Sequence, residues 1–221
     1  MFRRRSDPSV GWPVRLVGVA PLRDPVVLRP MATTDAREYQ WVRRQNAAWL
    51  EPWDATSPLG EGGLRSFDEL VRHYDAEASA GRMLPLLIEV DGRIVGQITL
   101  SSITLGSFRS CSAGYWVSRA IAGRGVAPMA LAMAGDHAFD VLGLHRIEVN
   151  IRPENAASLA VVRKLGFREE GMRLRMLHID GAWRDHRSFA LTSEDLSGRS
   201  LVDRLRNSQP SLWRHTDVGP A

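Results

Sequence analysis

The stretch that most restricts how this chain can fold is residues 113–139, AGYWVSRAIAGRGVAPMALAMAGDHAF. An apolar strand segment, Tyr115-Trp116-Val117, runs into a turn, Ala122-Gly123-Arg124-Gly125-Val126-Ala127, and then into an Ala/Met-rich helix. The two glycines let the backbone bend tightly and bring its N–H groups close to a ligand. The helix behind them contributes unpaired donors and the positive end of its dipole, so the turn suits a pyrophosphate. Pro128 fits the first helical turn, where its missing N–H costs nothing. Arg124 can add a charge-assisted contact to phosphate. The bland alternative is an ordinary strand-to-helix loop. The Walker lysine and the spacing of the dinucleotide fingerprint are both absent, which argues against nucleotide hydrolysis and hydride transfer.

The remaining segments set the fold class. Residues 25–31 (PVVLRPM) predict a short buried strand, and Thr33, Thr34 and Asp35 offer N-caps for a helix to about Trp49. Residues 50–63, rich in proline and glycine, predict a loop, and residues 64–79 a second helix. Strands at 85–90 and 93–100 flank Asp91-Gly92, a strong hairpin signal. Then follow a strand at 112–118, the helix to Val141, a strand at 145–151, a helix at 155–165, and strands at 167–178 and 183–191 turned by Asp180-Gly181. This order predicts an α/β fold with a mixed, mostly antiparallel, seven-stranded sheet flanked by about four helices. Residues 1–195 are expected to form one domain. Residues 196–221 are expected to be a peripheral tail with one short helix at 196–205.

Bulk properties exclude several classes. Cys111 is the only cysteine, so an internal disulfide and a cysteine metal cluster are excluded. His145, His178 and His186 are scattered without a ligand spacing and read as structural, so no metal is expected. No apolar run approaches the roughly 18 residues a membrane span needs. The basic start, MFRRRSDPSVGWP, lacks a following apolar segment, and cytoplasmic localisation is expected. The pI of about 9.9 and net charge of +4 raise attraction to a polyanion. The basic residues are nearly all arginine, however, and a solvated basic surface without direct nucleic-acid binding is preferred. Arg3 to Arg5 read as a solvated arm, and the run from Met129 to Met133 as core.

A second cluster lies in residues 145–171, HRIEVNIRPENAASLAVVRKLGFREEG. Asn155 and Ser158 are three apart at a helix start and share a face, although Asn155 also suits an N-cap. Glu148 and Asn150 share one face of a strand. Glu148 is either a carboxylate acting through a water or a strand-end charge paired with Arg146 or Arg152. Tyr115 faces either substrate or core. Trp53, inside the first loop, is nominated for substrate, whereas Trp49 reads as packing.

Ala122 to Ala127 resembles the Q/R-x-x-G-x-G/A pyrophosphate loop of the GNAT acetyltransferases, with Ala122 replacing the usual Gln or Arg. Lys164-Leu165-Gly166-Phe167 resembles that family's closing K-x-G-F. Leu50-Glu51-Pro52-Trp53, Gly106-Ser107-Phe108 with Gly114-Tyr115, and the hairpin IDGAWRDH at 179–186 resemble its Rim branch, enzymes acting on ribosomal-protein N-termini. The resemblance covers roughly residues 12–195. It implies a GNAT fold splayed between its fourth and fifth strands, with acetyl-CoA in the opening and no metal. Trp116, Val117, Ala122, Gly123, Arg124, Gly125, Val126, Ala127, Asn155 and Ser158 would then hold the cosubstrate. The Val117 N–H would polarise the thioester, Asn155 would hold the pantetheine arm, and Ser158 would protonate the leaving thiolate. Asn150 stands where some N-terminal acetyltransferases carry a glutamate, and Arg175-Met176 where a carboxylate and tyrosine are frequent. The acceptor implied is the α-amine of an N-terminal Ala or Ser, on a small-subunit ribosomal protein, attacking directly within a ternary complex. An α-amine, with a reference pKa of about 7.7–8.0 against about 10.4 for lysine, needs no strong base. A lysine side chain or small-molecule amine as acceptor, and a non-catalytic CoA- or RNA-binding module, are the alternatives. A monomer or homodimer is expected.

Overall fold

The computed structural model describes residues 12–21, 24–60 and 66–208; Arg3 to Arg5, Glu61, Gly62 and Gly63 lie outside them. The described elements are β1 (Leu16–Val19), β2 (Pro25–Arg29), α1 (Ala36–Gln45), α2 (Ala47–Leu50), α3 (Phe67–Ser79), β3 (Leu84–Val90), β4 (Arg93–Thr104), β5 (Ser110–Val117), α4 (Val126–Asp140), β6 (Arg146–Ile151), α5 (Ala156–Lys164), β7 (Arg168–Ile179), β8 (Ala182–Thr192) and α6 (Leu201–Ser208). The strands form one sheet in the order β1-β2-β3-β4-β5-β6-β8-β7. Every neighbouring pair is antiparallel except β5 and β6. The α/β class and the mixed sheet are as expected, but among the described residues eight strands and six helices replace seven and about four. None of the described helices is long and apolar enough to cross a membrane.

Local chemistry explains most boundaries. Asp91 and Gly92, and Asp180 and Gly181, all have positive φ, the backbone that two-residue hairpins with the native strand twist require. Ser66 and Glu69 form a reciprocal cap, each side chain accepting the other's amide at 3.1 Å, and this starts α3 at Phe67. The single helix expected to reach Trp49 is broken at Asn46. That buried side chain bonds back to the Val42 carbonyl at 2.8 Å and accepts the Arg119 amide at 2.9 Å. Its distant partner beyond β5 thereby bends the chain between α1 and α2.

The sheet separates two apolar layers. On one face Leu86, Ile88, Ile98, Leu100, Ile147, Val149 and Ile151 pack with α4 and α5. On the other, Leu87 and Ile94 meet Tyr39, Phe67 and Leu70 of α1 and α3. The expectation of a peripheral tail is corrected: Leu201 and Leu205 of α6 are fully buried in the larger layer. Asp136 of α4 caps α6, accepting the amides of Leu201 at 2.6 Å and Val202 at 3.1 Å. Gly135 admits the Leu201 side chain, since a Cβ there would lie 2.5 Å from Leu201 Cδ1.

The sheet is splayed. Parallel pairing of β5 and β6 covers only Ser110, Cys111 and Ser112 against Arg146, Ile147 and Glu148, after which the strands part. The opening lies between the fifth and sixth strands because β1, unrecognised in the sequence, precedes the seven that were expected.

Leu201→Ala should cost about 2–5 kcal/mol by leaving a cavity. Asp136→Ala should cost about 1–2 kcal/mol by removing the cap. Urea unfolding followed by circular dichroism measures both, and a peripheral tail would show neither loss. At the edge strand β7, Arg146 and then Arg168 pull Glu170 down to about 2. Because this folded value lies below the unfolded one, its stabilisation is complete above about pH 4.5 and fades as pH falls toward 2. Thermal melts should therefore show the deficit of Glu170→Gln shrinking from pH 6 to pH 3.

Candidate active site

The turn between β5 and α4 is built as a donor cradle. Gly123 and Gly125 have φ of 83° and 82°, the left-handed region. A Cβ on Gly125 would sit 2.5 Å from Pro21 Cδ, whereas one on Gly123 would meet nothing within 4 Å, so the cradle is backed at one glycine and open at the other. The Arg124 amide is closed onto the Ile121 carbonyl at 3.2 Å, and the first α-helical bond of α4 is Met129 N–H to Gly125 O at 3.1 Å. The amides of Gly125, Val126 and Ala127 precede that bond, and Pro128 has none to offer. The Arg124 guanidinium, expected on phosphate, is instead ion-paired with Asp24, which is 5 % exposed. The turn is thus propped from behind by the β1–β2 connection.

At the opening, alternation of the strand decides what faces the gap. Ser118 N–H bonds to Val95 O on the β4 side at 2.7 Å, so the N–H and C=O of Val117 point toward the missing β6 neighbour. The Trp49 indole N–H occupies that carbonyl at 3.1 Å, giving a site role to a residue expected only to pack. Asn155 accepts the Ser158 amide on Oδ1 at 3.0 Å, acting as the N-cap of α5. The Tyr115 hydroxyl reaches the Ser158 carbonyl at 3.5 Å, and burial raises its pKa, so the phenol stays protonated. Tyr115, nominated for substrate, therefore belongs to the face shared with α4, α5 and Ser158. Trp116, nominated for the cosubstrate, lies on the opposite face, edge-on to Tyr39 at 6.0 Å and beneath Arg43 at 5.1 Å.

On that opposite face β6 presents Arg146, Glu148 and Asn150. Glu148 accepts from Asn150 Nδ2 at 2.9 Å and contacts Arg173 at 2.7 Å and Arg146 at 3.4 Å. Of the two readings left open for Glu148, the ion-paired one describes the structure, with Arg173 of β7 as a partner the sequence did not indicate. Both carboxylate oxygens are engaged, Oε1 by Asn150 and Oε2 by the two arginines. Arg152 does not join it. Its guanidinium donates to the Pro52 carbonyl at 2.6 Å and lies 5.4 Å from the Trp53 ring centroid. The loop carrying Trp53 is also tied by Arg43 to Asp54 at 2.5 Å and by the Thr56 amide to His178 O at 2.8 Å. Arg175, with φ of 50°, lies in a bulge of β7, its amide donating to Asp185 at 2.7 Å.

The histidines are separated: His145 meets Glu194 at 3.0 Å, His178 meets Thr56 at 2.7 Å, and His186 Nδ1 meets the Arg184 carbonyl at 3.0 Å. Among the described residues no group of three or more His, Cys, Asp or Glu could hold a metal ion. Burial pushes the Cys111 thiol up to about 12, which keeps it protonated and unreactive.

This geometry agrees with comparisons to known proteins. Residues 26–168 match the model of the acetyltransferase (GNAT) domain. The solved structure of Mycobacterium smegmatis RimJ in complex with CoA-disulfide is 42 % identical, with a TM-score of 0.83, covering 90 % of this chain and 96 % of that one. The [ribosomal protein uS5]-alanine N-acetyltransferase of Escherichia coli is 30 % identical over 78 % of this chain and 90 % of its own length. Spermidine N(1)-acetyltransferase of the same organism is 29 % identical over 72 % and 82 %. The cradle, the splayed strands and the family match together make this chain a member of the GNAT acetyltransferase family, an acetyl-CoA-dependent N-acetyltransferase.

Proposed function

We propose that the protein acetylates the N-terminal α-amine of a ribosomal protein, beginning with Ala or Ser, by direct attack within a ternary complex in the cytoplasm. The observation that carries this reading is the opening between β5 and β6, bounded by the donor cradle at one end and the first turn of α5 at the other. Gly123, Gly125, Val126 and Ala127 would hold the pyrophosphate through backbone N–H groups. Asn155 Nδ2, left over once Oδ1 caps α5, would hold an amide of the pantetheine arm. Acetyl-CoA supplies an activated acetyl thioester. The Val117 N–H would polarise its carbonyl; as the C–N bond forms and the C–S bond breaks, Ser158, with the protonated Tyr115 beside it, would pass a proton to the departing sulfur and be reprotonated from solvent, which takes up the proton the amine nitrogen loses.

The acceptor class rests on two supports. The uS5-alanine enzyme and RimJ resemble this chain over most of their length. Two carboxylates near the opening are also already paired: Glu148 with Arg146 and Arg173, and Asp54 with Arg43. A polyamine carries several positive charges and would need acidic groups free to receive them, so this lining suits a peptide N-terminus better than spermidine.

Purified protein should acetylate Ala- and Ser-initiated peptides with kcat/KM at least about 100-fold above that for spermidine or for an internal lysine. Turnover of spermidine alone would reject the peptide reading. Gly125→Ala should weaken CoA binding at least about tenfold in calorimetry, because it forces an L-residue into a left-handed position and into Pro21. Unchanged affinity would show that the cradle does not hold the coenzyme.

A further inference from the structure

Asn150 of β6 and Ser188 of β8 are direct register partners and share the face turned away from α4. Ser188 is only 4 % exposed, and its hydroxyl has no hydrogen-bond partner. Asn150 Oδ1 is likewise buried and unpartnered. The two oxygens do not bond to each other. Leaving a buried polar atom unsatisfied costs about 1–3 kcal/mol, and here two occur side by side.

Their surroundings show why neither is relieved locally. Asn150 cannot turn its amide over, because Nδ2 donates to Glu148 Oε1 at 2.9 Å and a carboxylate only accepts. Arg173 and Arg146 hold Glu148 in place. The Asn150 carbonyl oxygen is therefore fixed on the side away from Glu148. The last row in which β5 pairs with β6 is Ser112 with Glu148. Two residues further, where the strands have parted, Asn150 stands on β6 and Gly114 on β5. Gly114 carries no side chain, and a Cβ there would meet nothing within 4 Å. The opening is thus bordered on β5 by bare backbone and on β6 by Asn150, with Ser188 beside it on β8 and both orphaned oxygens buried.

We infer that Asn150 Oδ1 and Ser188 Oγ form the seat for the acceptor amine, with Glu148 as a positioning residue that sets the orientation of the Asn150 amide. A neutral primary amine has two N–H donors and one lone pair. Two adjacent acceptors take both donors and leave the lone pair free for the acyl carbon. The seat binds and orients the amine and exchanges no proton with it. The inference rests on the N-acetyltransferase activity and not on the identity of the acceptor.

The test is Ser188→Ala and Asn150→Ala in the full chain, assayed with an alanine-initiated peptide and with spermidine, alongside melting temperature and CoA affinity. Ser188→Ala is expected to melt at or above the wild-type temperature, because it deletes an unsatisfied group, and to bind CoA unchanged. Its kcat/KM toward whichever amine is turned over should fall about tenfold or more, chiefly through KM for the amine, with Ser188→Thr restoring part of the loss. Glu148→Gln, whose amide lets Asn150 reverse, should fall between wild type and Asn150→Ala. Unaltered kcat/KM in both alanine variants, or a loss matched by lower melting temperature or CoA affinity, overturns the inference. A crystal structure with CoA reads the seat without turnover. A water or amine nitrogen within hydrogen-bond reach of both oxygens is expected, and a direct Ser188–Asn150 bond closing the pair would overturn it. Spermidine-only activity would reject the peptide acceptor while leaving the seat standing.

Discussion

The parallel ladder between β5 and β6 stops after three rows, and the organisation of the site follows from that interruption. A strand edge inside a protein exposes N–H and C=O groups that must find partners. Past Ser112 one such carbonyl, that of Val117, is met by the Trp49 indole, while the N–H groups still face the gap. The strands' carboxyl ends also lead directly into the two helix starts, α4 through its glycine turn and α5 through its asparagine cap. Two sets of unpaired amides are thereby brought to the same opening, which a long, polar, phosphate-bearing ligand can bridge.

What could be read from the sequence was whatever short-range chemistry decides. The Asp-Gly hairpins, the glycine turn and the Asn155 cap each need only a few neighbouring residues, and all appear where expected. The strand β1 escaped because four residues interrupted by Gly18 carry too little alternation to register. The break at Asn46 escaped because its partners, Ser118 and Arg119, are about seventy positions away. The docking of α6 depends on Gly135 leaving room for Leu201, a fact of packing that residues 196–208 do not contain.

The candidate site divides along the same line. That Tyr115 and Trp116 point to opposite faces follows from strand alternation alone. Which face is whose depends on where α1 and α5 settle: Tyr115 lies against Ser158, and Trp116 against Tyr39 and Arg43. Glu148 could be seen to share a face with Asn150, but its Arg173 partner comes from β7, two strands over in the sheet. The arginine excess likewise reads differently in three dimensions. Arg29, Arg43, Arg124, Arg146, Arg152, Arg173 and Arg187 each engage a carboxylate, a carbonyl or a ring, so much of the basic character is consumed in holding loops and edge strands together.

The contact between the β1–β2 connection and the glycine turn carries a further consequence. Pro21 rests against Gly125, and Asp24 grips Arg124, so the connection between the chain's first two strands backs the glycine turn. With the turn holding coenzyme as proposed, whatever order the ligand imposes there is shared with that edge of the sheet, and loosening the edge weakens the hold on coenzyme by the same measure. Ligand affinity and the anchoring of an outlying hairpin are thereby two readings of a single free energy.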